Sequence, residues 1–140
     1  MLPLHLTNSE IKNAAGTEVE FTGSGPVGRT REFIQVNENP SQKHRFKIQH
    51  QESGVGLKAV RRSNIRGDKI VISGVDSLTP LPIVASLTVQ VPIGGLISLT
   101  EVKNLLAEMM SLLSATVAND GLLHLDCTGY GADALVNGTA

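Results

Sequence analysis

Arg45-Phe46-Lys47-Ile48-Gln49-His50-Gln51 alternates polar and apolar residues strictly enough to decide the fold. Successive side chains of an extended strand point to opposite faces, so Arg45, Lys47, Gln49 and Gln51 share one face, and Phe46, Ile48 and His50 share the other. A strand that is basic on one side and apolar on the other belongs in an antiparallel sheet that buries one face only. Gly54-Val55-Gly56 then turns the chain, and residues 57–65 return as a weaker strand. Its register is open at this stage. On one reading Lys58, Val60, Arg62 and Asn64 lie together.

Upstream, Leu4-His5-Leu6-Thr7 and Glu18-Val19-Glu20-Phe21-Thr22 read as a hairpin turned by Asn13-Ala14-Ala15-Gly16. Gly23 to Gly28 breaks the pattern before a strand over residues 31–36, and Asn37-Glu38-Asn39-Pro40 turns the chain again. Downstream, residues 66–80 read as a long loop with short extended arms around Ile70-Val71-Ile72 and Val75. Residues 81–93 follow as an extended strand in which Ala85, Leu87, Val89 and Val91 face one way and Ser86, Thr88 and Gln90 the other. Pro82 and Pro92 stand near its ends, where a missing amide donor is tolerated.

The period then changes from two to 3.6. Ser98-Leu99-Thr100-Glu101 fits a capping box, and behind it Val102, Leu105, Leu106, Met109, Leu112 and Leu113 form an apolar stripe that Ala107 and Met110 broaden. The spacing predicts a helix to about Ala118, stopped by Asn119-Asp120-Gly121. Residues 122–127 are either a second short helix or an extended piece. The small, polar tail from Gly131 onward reads as mobile.

The chain has 140 residues, 41% of them apolar, with 12 Lys and Arg against 13 Asp and Glu. That length supports one domain, which buries roughly two thirds of its unfolded surface without a metal or disulfide. With only Phe21, Phe33, Phe46 and Tyr130 as aromatics, the core must be aliphatic. The single Cys127 excludes an intramolecular disulfide and any cysteine-only metal cage. No apolar run nears the ~20 residues of a membrane span, and the N-terminus carries no visible export signal, so a soluble chain is expected.

The near-zero charge hides a split. Residues 29–70 hold ten of the twelve bases (Arg29, Arg31, Lys43, Arg45, Lys47, Lys58, Arg61, Arg62, Arg66 and Lys69) and only four acids. This asymmetry points to a polyanion partner or to a solvated face, and geometry must decide between them.

The expected class is therefore α+β: an N-terminal β-hairpin (1–22), an antiparallel meander (29–93, with the loop at 66–80), a helical region (98–130) and a tail (131–140). The helical stripe exceeds what one narrow sheet covers. Helices interlocking with a second subunit would bury it in a two-fold interface through Val102, Leu105, Leu106, Met109, Leu112 and Leu113.

This order of elements resembles the coat proteins of single-stranded RNA bacteriophages, the leviviruses and their relatives. The segment Leu81-Pro82-Ile83-Val84-Ala85 leading to Val89-Gln90-Val91-Pro92-Ile93 looks like that family's long strand, and Arg31-Glu32-Phe33-Ile34 with Arg45-Phe46-Lys47-Ile48 is similar to its central strands. The resemblance implies an interlocked homodimer, dimers closing into an icosahedral shell around genomic RNA, and assembly in the bacterial cytoplasm into a virion. It implies an inward, RNA-facing surface of Lys47, Gln49, Gln51, Arg62, Asn64, Ser86 and Thr88, to which the basic strands add Arg45 and Lys58. It also implies that Gly67, Asp68, Gly74 and Thr79 belong to a loop at the shell's symmetry axes, with the glycines easing a change of conformation between subunits. The family binds an RNA hairpin with a tyrosine on the long strand; the matching position here is Val84, so aromatic stacking is lost there while phosphate contacts survive.

Other motifs carry less. Gly23-Ser24-Gly25-Pro26-Val27-Gly28 matches G-x-G-x-x-G without the buried parallel strand and helix that a dinucleotide site needs. Arg66-Gly67-Asp68 and Asn137-Gly138-Thr139 are short chance matches. His124, Asp126 and Cys127 lack the further ligands of a metal site and the positioned base of a nucleophile, and no carboxylate pair suggests acid–base work. No catalytic residue, metal, cofactor, small-molecule substrate or membrane partner is expected. The rival reading is a small dimeric RNA-binding regulator that forms no shell.

Overall fold

The alternating run Arg45 to Gln51 lies inside β4 (His44–Ser53) of a computed structural model that describes residues 2–116, 123–124 and 126–138. β4 pairs antiparallel with β5 (Val60–Ile72) from His44 opposite Lys69 to Ser53 opposite Val60. β5 pairs along its whole length with β6 (Pro80–Pro92), from Val60 opposite Pro92 to Ile72 opposite Pro80. On the other side lie β3 (Thr30–Gln35), β2 (Phe21–Gly23) and β1 (His5–Leu6), which complete a six-stranded antiparallel meander in chain order. The expected hairpin and meander are both present.

Two boundaries differ from the sequence reading. Residues 66–72 continue β5, so Gly67 and Asp68 are strand residues, and the loop shrinks to residues 73–79 with Gly74 and Thr79 inside it. The glycine that suggests a turn is instead a packing site. Gly67 lies opposite Phe46, and a Cβ on it would come within 2.9 Å of the Phe46 ring. Lys58 leaves the sheet: Gly56–Lys58 is one 3-10 turn joining β4 to β5. Gly54 and Gly56, at φ +82° and +62°, take the left-handed backbone that this reversal requires.

The first of two compact units comprises residues 1–11 and 19–96. Its core is Leu6, Phe21 and Phe33, the two phenylalanines fully buried, with Ile11, Val19, Phe46 and Ile48 packed around them. Gly23 makes this closeness possible, since a Cβ there would meet the Leu4 carbonyl oxygen at 2.5 Å. The core is small, and aromatic rather than aliphatic at its centre. The same sheet face continues along β5 and β6 through Ile65, Leu81 and Ile83, all exposed.

The second unit comprises residues 12–18 and 97–140. In the first piece Asn13 Oδ1 accepts the amides of Ala15 and Thr17, each at 3.0 Å, and Gly16 turns with φ +78°. In the second, α1 (Leu99–Leu113) starts at Ser98, whose Oγ accepts the Thr100 amide at 3.2 Å. The helix ends five residues before Ala118. Ser114 turns extended and its hydroxyl donates to the Met110 carbonyl at 2.7 Å, a side-chain bond that competes with the helical ladder. β7 (Ala115–Thr116) then pairs with β8 (Leu123–His124), which resolves residues 123–124 as extended; the expected stop at 119–121 lies outside the described residues. The tail carries a helix: α2 (Tyr130–Asn137) ends at Gly138 with φ +65°. Gly131 lets it approach α1, because a Cβ there would fall 2.5 Å from Leu112 Cγ.

Candidate nucleic-acid interface

Directly opposed residues of an antiparallel sheet share a face. The register therefore gathers four rows on one side: Gln51, Arg62 and Gln90; Gln49, Asn64 and Thr88; Lys47, Arg66 and Ser86; and Arg45, Asp68 and Val84. Neighbouring strands lie about 4.8 Å apart, so these rows form a closely spaced, largely polar lattice. Every predicted RNA-facing residue except Lys58 falls on it. Arg66 and Gln90 belong to it too; the alternation 62, 64, 66 and 86, 88, 90 marks both, but reading 66 as the start of a loop hides the first.

The lattice is internally tied. Asn64 Nδ2 donates to Thr88 Oγ1 at 2.8 Å and Arg62 to Gln90 Oε1 at 3.3 Å. Two of its arginines are already neutralised. Arg66 grips Asp68 with contacts of 2.8 to 3.0 Å. Arg45 makes a two-pronged bond to Glu38, at 3.2 and 3.0 Å, and lies 3.6 Å from Glu32. The bond from Arg45, aided by the His44 amide, holds the Glu38 carboxyl below its ordinary value. Among the described residues, Lys47 and Arg62 have no carboxylate within ion-pair distance, which makes them the lattice's available charges.

The bases are not confined to this side. Arg31, Arg61 and Lys69 fall on the apolar face in register. Arg29 lies in the turn before β3 and Lys43 just ahead of β4. Arg29, Arg31 and Arg61 make structural contacts there. Glu52 bridges Arg29 at 2.9 Å and Arg61 at 3.0 Å, and Arg31 donates to the carbonyls of Leu2 and Pro3 at 2.7 and 3.1 Å, tying the N-terminal strand down. These arginines rim a cleft of about 540 Å³ floored by Ile48. On the same face His50 bonds Ser63 Oγ at 2.8 Å but is exposed rather than interior. His44 stands edge-on to Phe21 and bonds Gln35.

On α1 the predicted stripe is uncovered by its own unit: no helix side chain is buried, and Leu105 and Leu112 are 58% and 62% exposed. Cys127 is exposed, while the side chains of His124 and Leu125 lie outside the described ones. Among the described residues no three His, Cys, Asp or Glu gather as metal ligands, and no helix is long and apolar enough to cross a membrane.

A six-stranded antiparallel meander in chain order with a polar lattice on one face, followed in the chain by helices, is an α+β arrangement. The particular fold is the coat-protein fold of RNA bacteriophages. The coat protein of bacteriophage EMS014 matches with TM-score 0.63 at 14% identity, over 86% of this chain and 87% of that one. The capsid protein of bacteriophage GA matches with TM-score 0.53 at 20% identity, over 87% and 85%. A virus-like particle of bacteriophage AVE019 matches with TM-score 0.55 at 12% identity, over 96% and 92%. No protein-family model and no curated protein matches the chain.

Proposed function

We propose that this chain is a structural coat protein that forms homodimers, assembles into a closed shell and packages single-stranded RNA on its polar lattice. The observation that carries the reading is the register that puts Lys47, Gln49, Gln51, Arg62, Asn64, Ser86 and Thr88 on one side of a sheet, while Ile65, Leu81 and Ile83 on its other side and Leu105, Met109 and Leu112 on α1 are exposed. Exposed apolar surface on this scale costs solubility unless it is covered, and a second copy supplies a matching surface under two-fold symmetry. Val102, Leu105, Leu106, Met109, Leu112 and Leu113 form the helical part of that interface. Arg45 and Arg66 keep their carboxylate partners and act as struts, while Lys47 and Arg62 release counterions from the RNA backbone. With Val84 in the row of Arg45 and Asp68, hairpin recognition lacks an aromatic stacking platform at that place. On this reading, assembly is the activity.

Expression of the full chain followed by electron microscopy tests this. Uniform spherical particles containing nuclease-protected RNA are expected. Dispersed RNA-binding dimers would replace the reading with that of a regulatory protein.

A further inference from the structure

The lattice face is not evenly charged from end to end. β3 extends it, because Glu32 lies opposite Lys47 and Thr30 opposite Gln49. The acids gather at one end. Glu32 stands in the row of Lys47 and Asp68 in the row of Arg45, and Glu38 reaches Arg45 at 3.0 Å from the turn before β4. At the other end the rows Thr30–Gln49–Asn64–Thr88, Gln51–Arg62–Gln90 and Ser53–Val60–Pro92 contain no acid. A strand rises about 3.3 Å per residue, so the span from Arg45 to Gln51 puts the two ends about 20 Å apart. Exposed charges act over only ~8 Å at physiological salt. A phosphate beside Arg62 is therefore attracted by that guanidinium with little repulsion from Asp68 or Glu38.

The acid-free end also holds a pocket of about 220 Å³, lined by Gln51, Ser53, Val60, Arg62 and Gln90. We propose that this pocket takes one unpaired nucleotide of single-stranded RNA, its base between the Gln51 and Gln90 amides beside Arg62, while Glu38 and Asp68 mask the opposite end against phosphate. The proposal rests on the RNA-packaging reading and gives the lattice a direction. Arg62 Nη2 donates to Gln90 Oε1 at 3.3 Å, which steadies the guanidinium and leaves its other N–H groups for a phosphate or a base edge. A glutamine amide presents a donor beside an acceptor, the pattern that bonds the exposed edge of an unstacked base. An arginine plane stacks on the face of any base, so the pocket tolerates different bases. A duplex keeps its bases paired and stacked, so it gains only the Arg62 charge. The pocket is separate from position 84, because Val84 lies in the masked row of Arg45 and Asp68.

The test uses the full chain, unassembled, with two labelled probes across a salt series: an unstructured RNA oligonucleotide and an RNA duplex of the same length. Gln51→Ala with Gln90→Ala removes no charge. It should weaken binding of the single strand at least about fivefold, with its salt slope and the duplex affinity unchanged. Asp68→Asn with Glu38→Gln should tighten binding of both probes and steepen each slope by up to about two, one for each base unmasked. Should Glu38→Gln disturb the turn, seen as a lower melting temperature, Asp68→Asn alone is read, with a rise of about one. Unchanged single-strand affinity in the double alanine variant, or an equal loss for both probes, would overturn the pocket. Unchanged slopes in the carboxylate variants would overturn the mask. If the unaltered chain binds neither probe, the RNA-packaging reading itself falls and the pocket with it. Binding by the unaltered chain that the glutamine variants leave intact removes the pocket alone.

Discussion

Phe46 fills the space that a side chain on Gly67 would need: the two residues are opposed across β4 and β5, and a Cβ on Gly67 would stand 2.9 Å from Phe46 Cε1. Phe46 in turn packs edge-on against the buried Phe21, with ring centres 4.9 Å apart. Gly67→Val should therefore lower stability by about 1–3 kcal/mol, the usual cost of overpacking a set rotamer. Chemical denaturation measures it. An unchanged midpoint would mean that residue 67 is in the loop its sequence suggests.

That pair also shows where sequence reading succeeds and stops. The side-chain alternation of residues 45–51 and 85–91 is a local property, so the polar lattice is legible residue by residue once strand pairing supplies the register. Arg66-Gly67-Asp68 misleads because glycine signals a turn and a close approach with the same letter, and only the Phe46 ring distinguishes them. The partners of Arg45 and Arg66 are hidden for a similar reason. Glu38 lies in a turn seven positions away, so nothing in the spacing shows that Arg45 is neutralised. The helix end at Leu113 and the helical tail depend on Ser114 and Gly131, whose roles arise from contacts rather than from periodicity.

The charges of the lattice should be separable by salt. Lys47→Ala and Arg62→Ala are each expected to weaken RNA binding and to reduce the slope of log affinity against log salt by about one. Arg66→Ala and Arg45→Ala should reduce it less, because an arginine already paired with a carboxylate contributes little to phosphate neutralisation. Filter binding across a salt series on dissociated dimers checks this. Equal slopes for all four variants would contradict the assignment of free and neutralised bases.

Acid should loosen the small core through His44. Burial against the core lowers its pKa below the ordinary 6.5, with Lys69 directly across the sheet adding to the effect and Glu38 opposing it. The neutral ring is thus the form that the fold prefers. The unfolded chain binds the proton more readily, so stability is full above about pH 6.5 and falls as pH drops toward the lowered folded value. The melting temperature should be lower at pH ~5.5 than at pH ~7.5, and His44→Gln should shrink that difference. An unchanged difference in the variant would assign the pH dependence to other groups.

The helical stripe should be required for association. Leu105→Asp places a charge in the proposed dimer interface, which costs several kcal/mol, on the order of the burial penalty for an unpaired carboxylate. Monomers or insoluble protein are expected in sedimentation, with Glu108→Ala on the same helix as a tolerated control. A dimer of ordinary affinity carrying Asp at position 105 would remove α1 from the interface.

The most direct measurement of the account is to irradiate RNA-filled particles and map the cross-linked peptides by mass spectrometry. Cross-links are expected in residues 45–51, 62–66 and 86–90, on the lattice side of β4, β5 and β6. Cross-links concentrated instead around Arg29, Arg31 and Arg61, on the opposite face, would contradict it.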